Sequence, residues 1–525
     1  MATTAGQKSN VIQLAFDAGR SGRRLKAIPT TALAINSQIR SYGKNAVARS
    51  RYLATNNPYA AQAKEEFVAA FAGNGIKPSS LVSDPELKDE IQNLFLDWTD
   101  ESDADGLTDF YGQQAIIGGE MFEAGEIFIR IRERYLSDGL SVPMQLQLIP
   151  AEMCPTDFNQ ILGNGRRIEC GIQFNAIGKR EGYWFYRNHP GEILNAVLIN
   201  NSEKVFVPAD QVLHLYKPIR AGQIRGIPHT LAGIITLAML DLYDDAELER
   251  KRVAALFAAF IRRKPGEEAD AGPFAGAPTT PVTPTSNQVN AVMEPGATIE
   301  LEDGQDVTFS TPADVGGNFE AFEYRTLLRA MAGFGVPYSQ GTGDLKQTSY
   351  GSQRGGMITF RRRVEMMQNA VMIFQFCRPI WRKWMDTAIL AGALPSLDVT
   401  AYVQNPRPFR RTKWITPKWD WIDPLKDVMA EKLLVDCGFK ARDDVIEGMG
   451  EEPADVDARI RASQERASEM GLVFIQLPNG VVISPDGETL IAPAQNPNNN
   501  GNQSRAAPNG KARGRNKVRR YIWDC

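Results

Sequence analysis

No nucleotide-binding or hydrolase signature interrupts this sequence. G-x-x-x-x-G-K-[ST], a G-x-G-x-x-G following a strand pattern, G-x-S-x-G and H-E-x-x-H are all missing from its 525 residues. That removes the usual phosphate cradle, the nucleophile elbow and the helical zinc site. Histidine is scarce: His189, His214 and His229 lie far apart with no nucleophile or ligand pattern beside them, so each is expected to be structural. The five cysteines, Cys154, Cys170, Cys377, Cys437 and Cys525, are scattered and odd in number, with no C-x-x-C pair. A disulfide framework and a zinc ribbon are therefore excluded, and a reducing compartment is expected. Cys377, in "FQFCRP", reads as an inert core thiol. Long apolar runs are missing too: "LAGIITLAML" stops after ten residues, against ~18 for a membrane span. The opening "MATTAGQKSNVIQLAFDAGRSGRR" has no uninterrupted apolar core or cleavage pattern. A soluble protein that folds inside the cell is expected, with no membrane partner.

Positive charge is not in excess either. The formal net charge is −3, so the chain does not grip nucleic acid by bulk charge. Its densest basic run is the last stretch, "GKARGRNKVRRYIWDC", which fits a solvated end or a nucleic-acid contact equally. One segment approaches a metal loop. "ESDADGLTDFYG" has acids at positions one, three and five and Gly106 at six, but Gly112 stands where calcium needs a bidentate glutamate. An acidic solvated loop is the expectation, with no metal and no cofactor.

What is present is a change of periodicity. "NPYAAQAKEEFVAAFAG" starts at Asn57-Pro58 and stops at Gly73, and "DPELKDEIQNLFLDWTDE" starts at Asp84-Pro85; both read as helices. From about Glu126 the period falls to two, through "EIFIRIRERY", "MQLQLIP", "ECGIQFNA", "EGYWFYRN" and "VFVPADQVLHLY", as in an antiparallel sheet. From His229 the chain becomes helical again as far as Lys264. A Pro/Gly-rich segment follows, with a hairpin expected on Asp303-Gly304 in "ATIELEDGQDVTFSTP". "NFEAFEYRTLLRAMAGFGVP" and the long stretch after Met357 are helical. Between them sits the polar, glycine-rich "TGDLKQTSYGSQRGG". "NPNNNGNQSRAAPNGKARGRNK" near the end has too little apolar surface to fold alone. The fold class is α+β.

Taken together, "RSRYLATNNPYA", "GNGIKPSS", "LQLIPAEM", "VLHLYKPIRAGQIRGIPHTLAGI", "MEPGATIELEDGQDVTF", "LKQTSYGSQRGG" and "WIDPLKDVMAEK" resemble the lambda-type portal proteins of tailed bacteriophages. They occur in that family's order from Arg40 to Gly471. The resemblance implies a ring, typically of twelve subunits, at one capsid vertex, with each subunit built as wing, stem, clip and crown. Residues 1–39 would be an N-terminal arm, 40–228 the first part of the wing and 229–264 a stem helix. The clip would be 265–317, the second stem helix 318–337 and the tunnel loop 338–356. Residues 357–424 would return through the wing, 425–471 would form a helical crown, and 472–525 a disordered basic tail.

The implied work is that of a channel, not an enzyme. Double-stranded DNA would pass through without sequence recognition. Implied partners are other copies of the chain, the terminase large subunit, head–tail connector or adaptor proteins, the major capsid protein and scaffold. The location would be the portal vertex of the virion, and the host cytoplasm during assembly. In the tunnel loop, Lys346 and Arg354 would supply cations. Gln347, Thr348, Ser349 and Tyr350 would supply neutral hydrogen-bonding groups for phosphates, though the loop could instead pack neighbouring subunits together. The acidic cluster Asp241, Asp244, Asp245, Glu247 and Glu249 reads as a solvated face supported by a Glu247–Lys251 pair. In a portal it would also line the channel and repel DNA. The competing reading is an enzyme acting on nucleic acid through an unrecognised acidic site.

Overall fold

Helix α1 runs over Ile35–Asn56, through part of the expected N-terminal arm. Its serines, arginines and Gly43 hide it from periodicity, and no side chain caps its start. Asn57 then ends α1 and begins α2, Pro58–Phe71: its side chain accepts from Ala60 N, and Pro58 occupies a first-turn position that needs no N–H. Gly73, at φ 48°, stops it. After strand β1, Lys77–Ser80, Asp84 caps α3, Pro85–Glu101, in the same way. Helix α4, Phe110–Glu123, was not evident from the sequence; Asp109 caps it.

The computed structural model describes residues 29–192, 203–255, 260–262, 299–301, 319–346, 349–419, 424–471, 481–483 and 489–491. The chain divides into two units, Met1–Asp420 with Arg442–Pro453, and Trp421–Ala441 with Ala454–Cys525.

In the first unit the alternating region forms two antiparallel sheets. Strands β2 (Glu126–Glu133), β3 (Met144–Pro150) and, after β4 to β8, β9 (Val212–Tyr216) make one, in the order β3-β2-β9. The other runs β4 (Gln160–Ile161), β5 (Arg167–Glu169), β6 (Ile172–Phe174), β7 (Arg180–Tyr186), β8 (Lys204–Pro208) in simple succession. The sheets share a small core: Phe128 and Val212 meet Tyr183, Phe185 and Val207.

A 3₁₀ turn at His229–Ala232 leads into α5, Ile234–Ala255. The helix thus ends before the expected Lys264, and Phe260–Arg262 is a strand, β10, paired in parallel with β11, Ile299–Leu301. The expected hairpin turn at Asp303-Gly304, and the rest of the clip segment apart from β11, lie outside the described residues. Helix α6, Phe319–Phe334, returns antiparallel along α5: Tyr243 meets Phe322 at 5.0 Å between ring centroids, and Gly233 abuts Phe334. Short helix α7, Tyr338–Thr342, follows.

The next rod comprises α8, Tyr350–Met367, a π-helical segment over Gln368–Cys377, and α9, Arg378–Leu390. Pro379, with no N–H to give, sits just after the widened turns, where Arg378 N bonds Ile373 O, five residues back. The widening directs two amides into neighbours. Gln368 Nε2 donates to the orphan carbonyls of Ala70 and Phe71 at the end of α2. Gln375 exchanges two hydrogen bonds of 3.1 Å with the backbone of Tyr216, covering the open edge of β9. In the main core, Trp381 and Trp384 of α9 each lie 5.0 Å from Phe95 of α3, and Phe376 stacks on Phe110. Helix α10, Val399–Gln404, is followed by β12, Thr412–Ile415, which pairs with β1. Helix α12, Arg442–Gly448, also belongs to this unit.

The second unit contains α11, Pro424–Asp436, and almost all of α13, Pro453–Glu469. It also contains β13, Val481–Ile483, paired with β14, Thr489–Ile491. These two paired strands fall within the segment expected to be a disordered tail.

The junction between the sheet and the chain leading into α5 depends on one close approach. Gly125 has φ 78°, and a Cβ there would lie 1.8 Å from the Ile227 carbonyl oxygen. Gly125→Ala is therefore expected to abolish soluble folded protein. Gly139→Ala, at φ 77° with open space around it, should cost only about 1 kcal/mol of left-handed strain. Comparing soluble yield and thermal midpoint separates crowding from dihedral strain; equal losses would contradict the account.

Candidate nucleic-acid interface

The loop between α6 and α8 is shorter than the sequence implied. Gly335, at φ 72°, ends α6, and Gly343, at φ 71°, ends α7. Gly351, Gly355 and Gly356 lie inside α8 and 338–342 form α7, so the described irregular residues are 343–346 and 349, not the whole of 338–356. Within it Asp344, unremarked in the sequence, acts as organiser. Its carboxylate accepts from Lys346 N at 2.9 Å and from the Tyr338 hydroxyl at 3.2 Å. Burial and the Asp344 charge push the Tyr338 phenol up to about 12.

The proposed contact residues are dispersed by this geometry. Lys346 is exposed in the turn. Ser349 caps α8: its Oγ accepts from Ser352 N, and its own N–H donates to Ser352 Oγ. Tyr350 opens the helix. Arg354 lies one turn into α8, half-buried and engaged by other groups. Gln347 and Thr348 lie outside the described residues.

Cations that the sequence reading passed over stand nearby on α8. Arg361 packs over the Trp419 ring at 5.2 Å, while Arg362 and Arg363 are exposed. Arg363 neighbours the end of α6: a Cβ on Gly335 would lie 4.0 Å from its Nη1. Burial, then Arg363, holds the Lys217 ammonium below its ordinary range. Among the described residues neither Lys217 nor Arg363 has a carboxylate at ion-pair distance. The consecutive arginines of "FRRRVE" were the available signal.

The five acids of α5 do not share a face. Asp241 accepts from Asn57 Nδ2 at 2.6 Å. Glu247 is 7% exposed and paired with Arg250 at 2.6 Å, with Lys251 at 3.9 Å. Asp244 is half-buried; burial, then Glu323 and Asp241, push its carboxyl up. Asp245 and Glu249 are exposed, and Glu249 pairs with Arg252 at 3.0 Å. Seven or more residues of helix at ~100° each necessarily spread such a cluster around the axis.

One buried and one half-buried charge group hold the scaffold. Arg225 donates to both oxygens of Glu126 and to the carbonyls of Cys154, Cys170 and Ala151. His214 Nε2 lies 2.9 Å from Glu126 Oε2, and Gly226 N donates to the same oxygen at 2.6 Å. Burial opposes the Glu126 charge, yet Arg225 and His214 outweigh it and hold the carboxyl at about 2. Burial drives His214 down to about 4, so it is neutral, and its Nε2–H donates a hydrogen bond to the Glu126 carboxylate. His229 is likewise pushed to about 4 by burial, then by Lys217. In the second group Arg51 joins Glu120, Glu123 and Glu152, and Lys64 joins Glu123.

In the calcium-like loop, Asp103 accepts the N–H groups of Asp105, Leu107 and Thr108 and the Gln113 amide. Its oxygens are committed to the turn, and no group of three acids, histidines or cysteines among the described residues surrounds a cation position. No helix among the described residues is long and apolar enough to cross a membrane.

A family model described as phage portal protein, lambda family, matches residues 21–368. A probable portal protein of Halomonas phage phiHAP-1 is 26% identical over 425 residues, covering 78% of this chain and 76% of that one. Portal protein B of Escherichia phage lambda is 23% identical over 331 residues, 58% of this chain and 60% of its own. Among solved structures, a chain from the virion of a native gene transfer agent particle overlaps with a TM-score of 0.40 at 15% identity, covering 78% of this chain and 94% of that chain.

Proposed function

This chain belongs to the lambda family of phage portal proteins, and on that footing we propose that twelve copies form the ring through which double-stranded DNA enters and leaves the capsid. As a portal protein it is a structural component of the virion and not an enzyme. The nucleic-acid-acting enzyme considered from the sequence is set aside. The observation that carries the reading is the family match, which runs over residues 21–368, to the end of α8. The terminase motor would dock during packaging and supply the energy, and head–tail connectors would replace it afterwards.

Lys346 reaches the DNA from the exposed turn, supported by Arg362 and Arg363 at the base of α8. Gln347, Thr348, Ser349 and Tyr350 complete the contact, with Arg354 bracing α8. Each contact is weak and screened by salt, so a ring of them holds a duplex yet lets it slide. Of the acids on α5, the exposed Asp245 is the one best placed to act on anything outside its own chain.

The purified protein should measure on the order of 700 kDa, twelve copies of 58.1 kDa, and show an axial hole by negative stain. A chain ending at Gly471 should still form rings; a monomer at all concentrations would overturn the reading. Lys346→Ala with Gln347→Ala should leave rings intact while reducing the DNA retained in filled heads severalfold. Normal retention would make the loop a mere connection, and failed assembly would make it a subunit contact.

A further inference from the structure

An open cavity of about 740 Å³ lies on the face of the five-stranded sheet turned away from the shared core, within the size range of small-molecule sites. Its floor is aromatic. Side chains alternate along β7, so Trp184 points away from Tyr183 and Phe185, which fill that core. Phe206 of β8 stands opposite Trp184, with the ring centroids 5.4 Å apart. The Phe206 ring lies over Gly182, where a Cβ would come within 2.4 Å of it, so only glycine lets the ring down onto the strand. Trp184 Nε1 donates to Gln173 Oε1 at 3.2 Å, which fixes the indole. Two turns make the rim: Gly165 abuts Ala176 and brings Arg166 beside the turn at 175–179. Asn175 Oδ1 accepts from the N–H groups of Ile177 and Lys179, which leaves its Nδ2 to donate outward.

Charge around the cavity is unbalanced. Glu181 is the one acid of its lining, and Gln173 Nε2 at 2.9 Å and Arg166 at 3.7 Å both take it. Lys179 has no carboxylate partner among the described residues. Arg180 meets only neutral oxygens, those of Tyr216, Tyr183 and Ile224. Three cations against one carboxylate leave two positive charges in excess. We propose that this cavity binds a nucleoside phosphate, either free or as the terminal residue of a single strand. The base stacks on Trp184 and Phe206, and the phosphate sits between Arg166 and Lys179 with the charge of Arg180 behind it. An acidic side chain brings one negative charge and no ring. A phosphate monoester brings close to two charges at neutral pH, and its base has a flat face to lay on the floor. A sheet face carrying aromatic rings with cations beside them is how unpaired bases are held. A duplex keeps its base faces stacked inside, so this site is separate from the contact proposed for Lys346. Every group in it belongs to one copy of the chain, so the inference does not depend on the ring.

Isothermal titration of the full-length chain with adenosine 5′-monophosphate is the test. It should bind at least about tenfold more tightly than adenosine or inorganic phosphate, each of which satisfies only half of the site. Arg166→Ala with Lys179→Ala should weaken the monophosphate by about tenfold and leave adenosine unchanged. Phe206→Leu, at a ring already 37% exposed, should weaken both by about fivefold. An unchanged circular dichroism spectrum shows that each variant is folded. A short 5′-phosphorylated oligoadenylate separates the two sources: tighter binding than the monophosphate assigns the cavity to a strand end, and equal or weaker binding assigns it to a free nucleotide. If inorganic phosphate or triglutamate binds as tightly as the monophosphate, the cavity takes an anion without a base and the inference falls. It falls equally if the monophosphate binds no better than adenosine, or if both sets of substitutions leave its affinity unchanged.

Discussion

Arg225→Ala is expected to destabilise the first unit by about 3–5 kcal/mol, the usual cost of stripping one partner from a buried ion pair. The guanidinium is 1% exposed and binds the Glu126 carboxylate and three carbonyls. Removing it leaves a buried carboxylate with only His214 and Gly226 N as donors and takes a donor from each of three buried carbonyls. Arg225→Lys should recover little, since one ammonium cannot serve that fork of acceptors. Urea unfolding followed by tryptophan fluorescence reads the effect directly. A loss below about 1 kcal/mol would mean that the surrounding sheets, and not this knot, hold the junction between the sheet and α5.

Acidification should weaken the fold well before ordinary carboxylates titrate. His214 and His229 are neutral in the folded chain, with pKa values lowered to about 4 from 6.5. A lowered folded value means that the unfolded chain takes up protons first. The stability is thus complete above about 6.5 and is lost as pH falls toward about 4. Each histidine contributes a slope of up to about 1.4 kcal/mol per pH unit in that window. Glu126, lowered from 4.5 to about 2, adds its own loss below about 4.5, in the same direction. Unfolding free energies at pH 7.5, 6, 5 and 4.5 should therefore descend steeply. His229→Phe, placed between Phe67 and Phe122, should roughly halve the slope between pH 6 and 4.5. A flat profile in that range would show that both imidazoles are solvated.

Local punctuation was legible in the chain. Asn57-Pro58 and Asp84-Pro85 announced α2 and α3, and the switch to period two at Glu126 marks the start of β2. Helix α1 was not legible, because its serines, arginines and glycine blur the apolar period, and its stability comes from packing Ile39 and Leu53. The start of α8 was hidden by Gly351, Gly355 and Gly356; helical φ/ψ is open to glycine, and the Ser349–Ser352 cap decides the boundary.

By itself the sequence determined the α+β class, the helices started by Asn57 and Asp84, the ordered set of segments that places the chain among portal proteins, and the lack of a recognisable catalytic motif. Those properties follow from local periodicity, end signals and residue type. Only the tertiary structure decided that Glu126, His214 and Arg225 form one buried knot across a separation of 99 residues. It also decided that Asp241 meets Asn57 and that Arg363 comes beside Lys217. A side chain's burial and charge partners depend on which distant segments pack against it, and no spacing along the chain encodes that.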